Sequence, residues 1–294
     1  MPSFNYHRPE TAVECVAVLD DLTRTGADVK VLAGGQSLLA VMALRLGPPS
    51  DIVDLSRVSG LDEISINGDG AVVIGAMVTH RSAEVSAAVA ETAPMVAAAL
   101  PLVGHRAIRS LGTVCGSLAH ADPAAEMPAV ALACGARFEA LSASGSRTID
   151  AADFFVGYLE TALRPDELLV EVEFARVAPR TGVSVDELSR RHGDYAMVGL
   201  ASSLTLGPDG TIAASALVVF GTGATPERVA TAEESLLGRV PDSDSFAAAA
   251  EVLMASIDPT ADNHASSAYR RHGAGVLVRR GLTNAASKIA RSNA

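Results

Sequence analysis

Short runs of β-branched and other apolar residues alternate with alanine-rich stretches over most of the sequence, and this alternation is the strongest constraint on its fold. Residues Thr11–Thr25 carry apolar side chains at helical spacing, and Gly26 supplies a stop signal. Val29–Leu32 then has the length and composition of a short buried strand. The sequence therefore predicts a protein of mixed helix and strand.

The same alternation continues to the middle of the chain. It predicts a helix over Leu38–Leu46, a strand over Ile52–Leu55, a hairpin over Glu63–Ile74 and a helical stretch over Ser82–Ala99 that Pro94 interrupts. A further helix is predicted to open at Asp122-Pro123 and to end at Gly135. The reason is that aspartate is a favoured N-cap and proline is favoured at the first helical position.

A change of composition over Pro179–Val185 is the best candidate for a domain boundary, because proline, arginine, threonine and glycine are typical of connections. Beyond it the pattern predicts a hairpin of Ala196–Leu206 with Ala213–Phe220. Two helices are predicted over Ala230–Leu237 and Asp244–Ser256, and a basic amphipathic helix over Ser266–Leu282. The arginines of the last helix are expected on a face turned to solvent or to another subunit.

Composition narrows the range of functions. The chain has 294 residues, 49% of them hydrophobic, which is enough for a large buried core, and its net charge is -11. Such an acidic balance disfavours nucleic acid as a partner, because phosphate groups are bound by basic surfaces. Neither of the two lysines, Lys30 and Lys288, stands in the Gly-Lys-Ser/Thr sequence of a Walker loop.

The cysteines, the histidines and the N-terminal sequence bear on metals and on location. Cys15, Cys115 and Cys134 are too far apart for a zinc cluster and too few for a four-cysteine iron–sulfur cluster within this chain. The seven histidines lack the paired spacing of a metal site. The sequence shows no signal-peptide pattern and no transmembrane segment, so a cytoplasmic protein is expected.

The first candidate for chemistry is Val29-Lys-Val-Leu-Ala-Gly-Gly-Gln-Ser, in which a strand runs through two glycines into a helix. Backbone N–H groups at a helix start attract anions, and the missing side chains of Gly34 and Gly35 permit close approach. The segment predicts a pyrophosphate site, with the hydroxyl of Ser37 as a further donor. The alternative is an ordinary tight turn between strand and helix. The Rossmann fingerprint GxGxxG does not occur here.

Two further segments are polar enough to be functional. Arg109–Glu126 contains glycines and is long for a connection, which favours a functional loop. Its Asp122 is placed to cap the following helix, or also to accept hydrogen bonds from a ligand, and spacing favours capping. Arg190–Gly199 brings charged residues beside Tyr195, whose ring can cover a flat ligand or simply pack at the start of a strand.

Taken in order, these segments resemble a known protein family. The stretches that carry the likeness are Ala33-Gly-Gly-Gln-Ser-Leu, Ile74-Gly-Ala-Met-Val-Thr-His, Thr113-Val-Cys-Gly-Ser-Leu-Ala-His-Ala-Asp-Pro-Ala-Ala-Glu-Met-Pro-Ala and Arg191-His-Gly-Asp-Tyr-Ala. They are similar to the FAD-binding medium subunit of molybdenum hydroxylases, a family that includes the medium subunit of aerobic carbon monoxide dehydrogenase and the flavin domain of xanthine dehydrogenase. The likeness extends from about Phe4 to Leu282, with order and spacing kept.

The resemblance implies an α+β fold with two domains. Residues 1–178 would form a two-lobed FAD-binding domain of the vanillyl-alcohol-oxidase (PCMH) type, with lobes of about 1–58 and 59–178. Residues 179–294 would form a small α+β C-terminal domain like that of the carbon monoxide dehydrogenase flavoprotein.

The resemblance also implies which residues bind the cofactor. The first glycine loop would wrap the FAD pyrophosphate, Thr113–Ser117 would form a second flavin-binding turn, and Tyr195 would cover or gate the isoalloxazine face. The implied cofactor-binding residues are Leu32, Ala33, Gly34, Gly35, Gln36, Ser37, Leu38, Val103, Thr113, Val114, Cys115, Gly116, Ser117, Asp122, Glu126, Leu169 and Tyr195. No catalytic residue and no metal ligand is implied in this chain.

One position departs from the family pattern. Cys115 stands where the family usually has the first glycine of Thr-x-Gly-Gly. If that position needed a positive φ or close contact with the cofactor, cysteine would add strain or bulk and reduce flavin affinity. We expect instead that a small side chain is tolerated there.

The implied function is electron transfer. In such complexes a large subunit with a molybdopterin-type molybdenum cofactor oxidises the substrate, and a small subunit with 2Fe-2S clusters relays electrons to FAD, which passes them to an external acceptor. The chain is thus expected to be an oxidoreductase subunit of a heterohexamer. The alternatives are a cofactor-poor structural subunit and a stand-alone FAD oxidoreductase. The sequence leaves open the acceptor and the substrate, whether carbon monoxide, purine, aldehyde or N-heterocycle.

Overall fold

The first sheet forms where the sequence predicts the first strands. In the computed structural model, which describes residues 3–292, this sheet has three parallel strands in the order β1-β3-β2. Its elements are β1 (Asn5–His7), α1 (Ala12–Arg24), β2 (Val29–Leu32), α2 (Leu38–Ala43) and β3 (Asp51–Asp54). The predicted extension of α2 to Leu46 is wrong, because Arg45 turns to a φ of 58° and the Leu46 N–H returns to the Val41 carbonyl.

The second sheet is antiparallel, with five strands in the order β4-β5-β10-β6-β7, and a small separate hairpin follows β7 in the chain. The strands are β4 (Ile64–Ile66), β5 (Val72–Gly75), β6 (Arg137–Ser142), β7 (Gly145–Asp150), β8 (Phe155–Gly157), β9 (Glu160–Thr161) and β10 (Leu168–Phe174). The β4–β5 hairpin was predicted. The central strand β10 pairs with β5 and β6, which lie far away in the sequence, and it was not predicted.

Short helices connect the strands of this sheet. They are α3 (His80–Glu84), α4 (Ala87–Thr92), α5 (Pro94–Ala99), α6 (Arg106–Arg109), α7 (Val114–His120), α8 (Glu126–Cys134) and α9 (Ala151–Phe154). The break at Pro94 is confirmed, and a second break occurs at Ser86, whose side chain caps α4. The expected long loop between Arg109 and Glu126 is wrong, because it contains α7.

The prediction that Asp122-Pro123 opens a helix is also wrong. Helix α8 begins at Glu126, and Ala125 occupies its N-cap without a side-chain hydrogen bond. The Asp122 carboxylate instead accepts a hydrogen bond from the Ala124 N–H at 2.9 Å, closing a local turn before the helix. The predicted end at Gly135 is confirmed by its left-handed φ of 60°.

The last sheet is antiparallel in the order β11-β12-β13-β14, and three helices complete the chain. The elements are β11 (Thr181–Leu188), β12 (Val198–Leu206), β13 (Ile212–Phe220), β14 (Glu227–Arg228), α10 (Ala230–Leu236), α11 (Ser243–Ser256) and α12 (Ser267–Ser292). The predicted connection Pro179–Val185 is strand from Thr181 onward. The β12–β13 hairpin and the helices were predicted.

The last sheet lies between two apolar cores, because successive side chains of a strand point to opposite faces. Leu217 and Val219 of β13 pack with the helices α10 to α12, whereas Val218 and Phe220 belong to the larger core shared with the first two sheets. Helices α5 and α8 pack against the same sheet. The C-terminal sheet is thereby held against the elements that surround the site described below.

The basic face predicted for α12 is largely neutralised within the chain. Arg270 is buried and pairs with Asp262, and the other arginines of the cluster pair with Asp258, Glu251 and Asp186. Among residues 3–292, no helix is both long enough and apolar enough to cross a membrane.

Candidate functional site

A cavity of about 600 Å³ is lined by residues of the first two sheets and their loops and by Gly193–Tyr195, which connects β11 to β12. It gathers most of the residues implied in cofactor binding. The predicted residues that line it are Ala33, Gly34, Gly35, Gln36, Ser37, Leu38, Val103, Thr113, Cys115, Gly116, Ser117, Glu126, Leu169 and Tyr195. Concave sites of this size, lined by apolar groups with a few polar ones, are typical of cofactor pockets. The role of each residue toward a cofactor stays a prediction.

Leu32, Val114 and Asp122 are not among the lining residues. Leu32 is half-buried at the end of β2, and Val114 is fully buried in the first turn of α7. Asp122 is half-buried and lies close to Tyr195.

The first glycine loop joins β2 to α2. Gly34 needs to be glycine because a Cβ atom there would lie 2.1 Å from the Leu111 carbonyl oxygen, on the segment that leads to the second loop. Gly35 has a φ of 71°, a conformation that glycine adopts without strain. Ser37 stands at the N-cap of α2 but makes no side-chain capping bond, so the first N–H groups of this helix are not capped by it. Such a helix start suits an anionic group in the cavity.

The second loop is held by its own hydrogen bonds. The Thr113 hydroxyl caps α7 by accepting the Gly116 N–H at 3.0 Å, and the Val114 N–H donates to the Val78 carbonyl at 3.0 Å. A Cβ atom on Gly116 would lie 2.6 Å from Thr113 Oγ1 and 3.7 Å from the Cβ of Ala33. The two loops therefore pack directly against each other.

Cys115 has a helical backbone, and its side chain faces the core. Its Sγ lies 3.5 Å from the Ile74 carbonyl oxygen, and burial raises the pKa of the thiol. Cys115 is in the first turn of α7 and is not among the residues with a positive φ. The backbone at this position therefore does not require glycine, and the buried thiol contacts the Ile74 carbonyl.

His80 is a lining residue that sequence reasoning missed. It is 4% exposed, and neither ring nitrogen has a hydrogen-bond partner among residues 3–292. Burial lowers the pKa of His80 to about 4, so the ring is neutral at pH 7. Its backbone N–H donates to the Gly112 carbonyl, which places it beside the second loop. The sequence signal is that His80 follows the capping residue Thr79 and ends a stretch that carries the family resemblance, although the resemblance implies no cofactor role for it.

Glu126 and Tyr195 line the cavity, and Glu187 lies outside the lining but close to Glu126. Burial raises the pKa of Glu126 to about 8 and that of Glu187 on β11 to about 7. Tyr195 is 58% exposed, but its hydroxyl end is enclosed near Ser37 and Asp122, and this desolvation raises the pKa of Tyr195 to about 12. A protonated Glu126 adds no negative charge to the cavity and can donate a hydrogen bond.

These features fit a flavin dinucleotide. Polar groups of the cofactor could be met by the backbone at Gly34, the helix start at Ser37 and the His80 imidazole, which has no partner in the described part of the chain. Val103 and Leu169 supply apolar wall. The fold and the site thus define a dinucleotide-binding flavoprotein whose glycine loops are not of the Rossmann type.

Two families match the chain. The FAD binding domain in molybdopterin dehydrogenase matches residues 2–176, and the CO dehydrogenase flavoprotein C-terminal domain matches residues 184–285. The chain belongs to this family of molybdopterin dehydrogenase flavoproteins, and its FAD-binding domain and α+β fold are those expected from the resemblance.

Curated relatives match over nearly the whole chain. The 6-hydroxypseudooxynicotine dehydrogenase complex subunit alpha of Paenarthrobacter nicotinovorans is 37% identical, covering 97% of this chain and 95% of that protein. The carbon monoxide dehydrogenase medium chain of Hydrogenophaga pseudoflava is 33% identical, covering 98% and 99%.

Solved structures of related enzymes have the same fold over nearly the whole chain. A carbon monoxide dehydrogenase of Hydrogenophaga pseudoflava that lacks the Mo-pyranopterin moiety has a TM-score of 0.92 at 34% identity, with 98% of each chain covered. Quinoline 2-oxidoreductase of Pseudomonas putida 86 also has a TM-score of 0.92, at 37% identity and with 98% of each chain covered. The chain is therefore an FAD-binding oxidoreductase subunit of the medium-chain type.

Proposed function

We propose that the protein carries electrons within a heteromeric molybdenum hydroxylase, from a molybdenum centre through 2Fe-2S clusters in partner subunits to FAD held in this chain, and then to an external acceptor. The cavity between the two glycine loops is the observation that supports the proposal most strongly. FAD exchanges electrons singly and in pairs, which suits it to join one-electron carriers to a two-electron acceptor.

The residues of the chain hold and orient the cofactor in this proposal. Gly34, Gly35 and Ser37 bind the pyrophosphate, with the start of α2 directed at its charge. Val103 and Leu169 pack against the flavin, and Tyr195 covers its exposed face at the mouth of the cavity. The protein's contribution is position and electrostatics.

We propose that substrate oxidation takes place in another subunit. By their names, relatives of this chain belong to enzymes for nicotine, carbon monoxide, caffeine and glyceraldehyde. Because one type of flavin subunit occurs in enzymes for such different substrates, substrate recognition is expected elsewhere in the complex. We propose a large molybdopterin-binding subunit and a small 2Fe-2S subunit as the partners of this chain. The identity of the substrate is then a property of the large subunit.

We also propose domains of residues 1–178 and 179–294 and a cytoplasmic location. The first family match ends at residue 176 and the second begins at residue 184, which supports a domain boundary between these positions. Cys15, Cys115 and Cys134 are free thiols, as is usual in a reducing compartment.

The test is a gentle pull-down of the protein with its native partners, followed by visible spectroscopy and mass spectrometry of the released cofactor. A flavin spectrum, released FAD, and iron–sulfur and molybdopterin polypeptides are the expected result. FAD without partners would identify a stand-alone oxidoreductase instead. An intact complex without flavin would identify a structural subunit.

A further inference from the structure

Arg109, at the end of α6, turns its guanidinium inward. The residue is 8% exposed. Its Nη1 donates to the carbonyl oxygens of Val103 at 3.1 Å and Gly104 at 3.0 Å, and the Pro101 carbonyl lies at 3.5 Å. One side chain thus contacts three carbonyl groups of the short segment Pro101–Gly104, which lies outside the helices and strands.

Glu84 on α3 holds the other side of the guanidinium. Arg109 Nε lies 3.2 Å from Glu84 Oε2, and Arg109 Nη2 lies 3.4 Å from Glu84 Oε1. Hydrogen bonds from Arg81 and Arg109 keep the pKa of Glu84 below its usual value, so the carboxylate is charged at neutral pH. The buried arginine is therefore paired, which makes its burial tolerable.

The backbone that Arg109 holds is a wall of the cofactor cavity. Val103 and Gly104 both line the cavity, and Gly104 makes a turn with a φ of 49°. The far side of this turn contacts the C-terminal domain, since a Cβ atom on Gly193 would lie 2.9 Å from the His105 ring and 3.1 Å from the Gly104 backbone. Gly193 directly precedes the segment that carries Tyr195.

We propose that Arg109 is a positioning residue that, braced by Glu84, fixes the wall Pro101–Gly104 against the flavin and, through Gly104 and His105, the Gly193–Tyr195 segment over the cavity mouth. This inference rests on the proposed role of the cavity in holding FAD. A planar guanidinium suits the task because it presents five N–H donors in a fixed fork, which an ammonium group cannot reproduce.

The chain offers a matched control in Arg81. It pairs with the same Glu84 carboxylate at 3.0 Å, but its side chain is 38% exposed and it makes no contact with the wall among the hydrogen bonds of residues 3–292. Arg81→Met therefore removes a cation from Glu84 and leaves Pro101–Gly104 in place. Arg109→Met removes a cation from Glu84 and also the hydrogen bonds to the wall carbonyls.

The experiment uses the full chain and two measurements. The first is the dissociation constant for FAD, from flavin fluorescence. The second is the rate of tryptic cleavage after the exposed Arg190 and Arg191, identified by mass spectrometry, which reports on the segment next to Tyr195. Arg109→Met is expected to weaken FAD binding at least about tenfold and to speed this cleavage at least about threefold, whereas Arg81→Met changes each less than about twofold.

Glu84→Gln and Arg109→Lys each keep part of the hydrogen bonding between Glu84, Arg109 and the wall, so both measurements should shift in the same direction by about threefold. These two variants replace Arg109→Met if it does not fold. The proposal is overturned if the Arg109 variants match Arg81→Met in both measurements. If the unaltered chain does not bind FAD, the proposed function fails, whereas the cleavage rates still decide whether Arg109 holds the Tyr195 segment.

Discussion

The two glycine loops of the cavity each lead into a helix, but the free N–H groups at the two helix starts are treated differently. In the first, Ser37 leaves the start of α2 without a side-chain cap, and Gly34 brings the backbone against Leu111. In the second, Thr113 caps α7 and the Cys115 side chain is buried in the core. We propose that the first loop presents backbone groups to the cofactor, and that the capped second loop, which also lines the cavity, is the rigid surface against which the first packs.

This difference separates two demands that a cofactor site makes on a fold. Binding an anion needs N–H groups that no side chain of the protein has already satisfied. Holding those groups in place needs a neighbouring segment with complete hydrogen bonding and close packing. Here the two demands fall on different loops, so substitutions in the first should change FAD affinity and substitutions in the second should change stability.

The largest effect is expected from Gly34→Ala. The new Cβ atom would lie 2.1 Å from the Leu111 carbonyl oxygen, so the two loops must separate. We expect FAD binding to weaken at least about 100-fold, or about 2.7 kcal/mol, in a fluorescence titration. Gly68→Ala is the control, because a Cβ atom there has nothing within 4 Å. Equal FAD affinity in the two variants would show that the loops need not touch.

Gly35→Ala tests the first loop through backbone strain together with crowding, because a Cβ atom there would lie 2.9 Å from Leu39 Cδ1. Gly35 and Gly26 have nearly equal φ values of 71° and 74°, but only Gly35 lines the cavity. A left-handed alanine costs about 1–2 kcal/mol, so both Gly35→Ala and Gly26→Ala should lower the free energy of unfolding in urea. The loss should be larger for Gly35→Ala, since a Cβ atom on Gly26 has nothing within 4 Å in the described chain. Only Gly35→Ala should weaken FAD binding, by about tenfold. A similar loss of affinity in Gly26→Ala would contradict a local role for Gly35.

Cys115→Gly tests the second loop. The substitution removes a buried side chain and puts glycine in a helix, so the free energy of unfolding should fall by about 1–2 kcal/mol. FAD affinity should change less than about twofold, because the thiol faces the Ile74 carbonyl. Cys15→Gly in α1 is the matched control, since Cys15 is equally buried but lies outside the cavity. A marked gain in flavin retention on Cys115→Gly would favour the cofactor-poor structural subunit.

The smallest effects come from the two capping positions. Thr113→Ala removes the bond to the Gly116 N–H and should lower the free energy of unfolding by about 1 kcal/mol in urea denaturation. Ser37→Ala has no capping bond to lose, so stability should stay within about 0.5 kcal/mol while FAD affinity falls about threefold. The reverse pattern, with Ser37 controlling stability and Thr113 affinity, would invert the roles assigned to the two loops.

Local rules predicted the elements that depend on local interactions. The strand, two glycines and helix over residues 29–38 form as expected, and Pro94 and Gly135 lie at a helix start and a helix end as their chemistry predicts. The failure at Asp122 shows the limit of such rules. The Pro123 carbonyl accepts a hydrogen bond from the Gly221 N–H at 2.7 Å, and this contact from the last sheet accompanies a turn where the local signal predicts a helix.

The family could be predicted from the order and spacing of its motifs in the sequence. The mixed fold and the glycine positions of the first loop could also be predicted, because turn geometry and helix ends depend on residues a few places apart. The burial of Cys115, the place of His80 beside the cavity and the hydrogen bonds from Arg109 to the cavity wall could be seen only in the folded chain. Those outcomes depend on burial and on contacts with segments far away in the chain. A side chain's neighbours across the fold, rather than its neighbours in sequence, set its solvation and its partners.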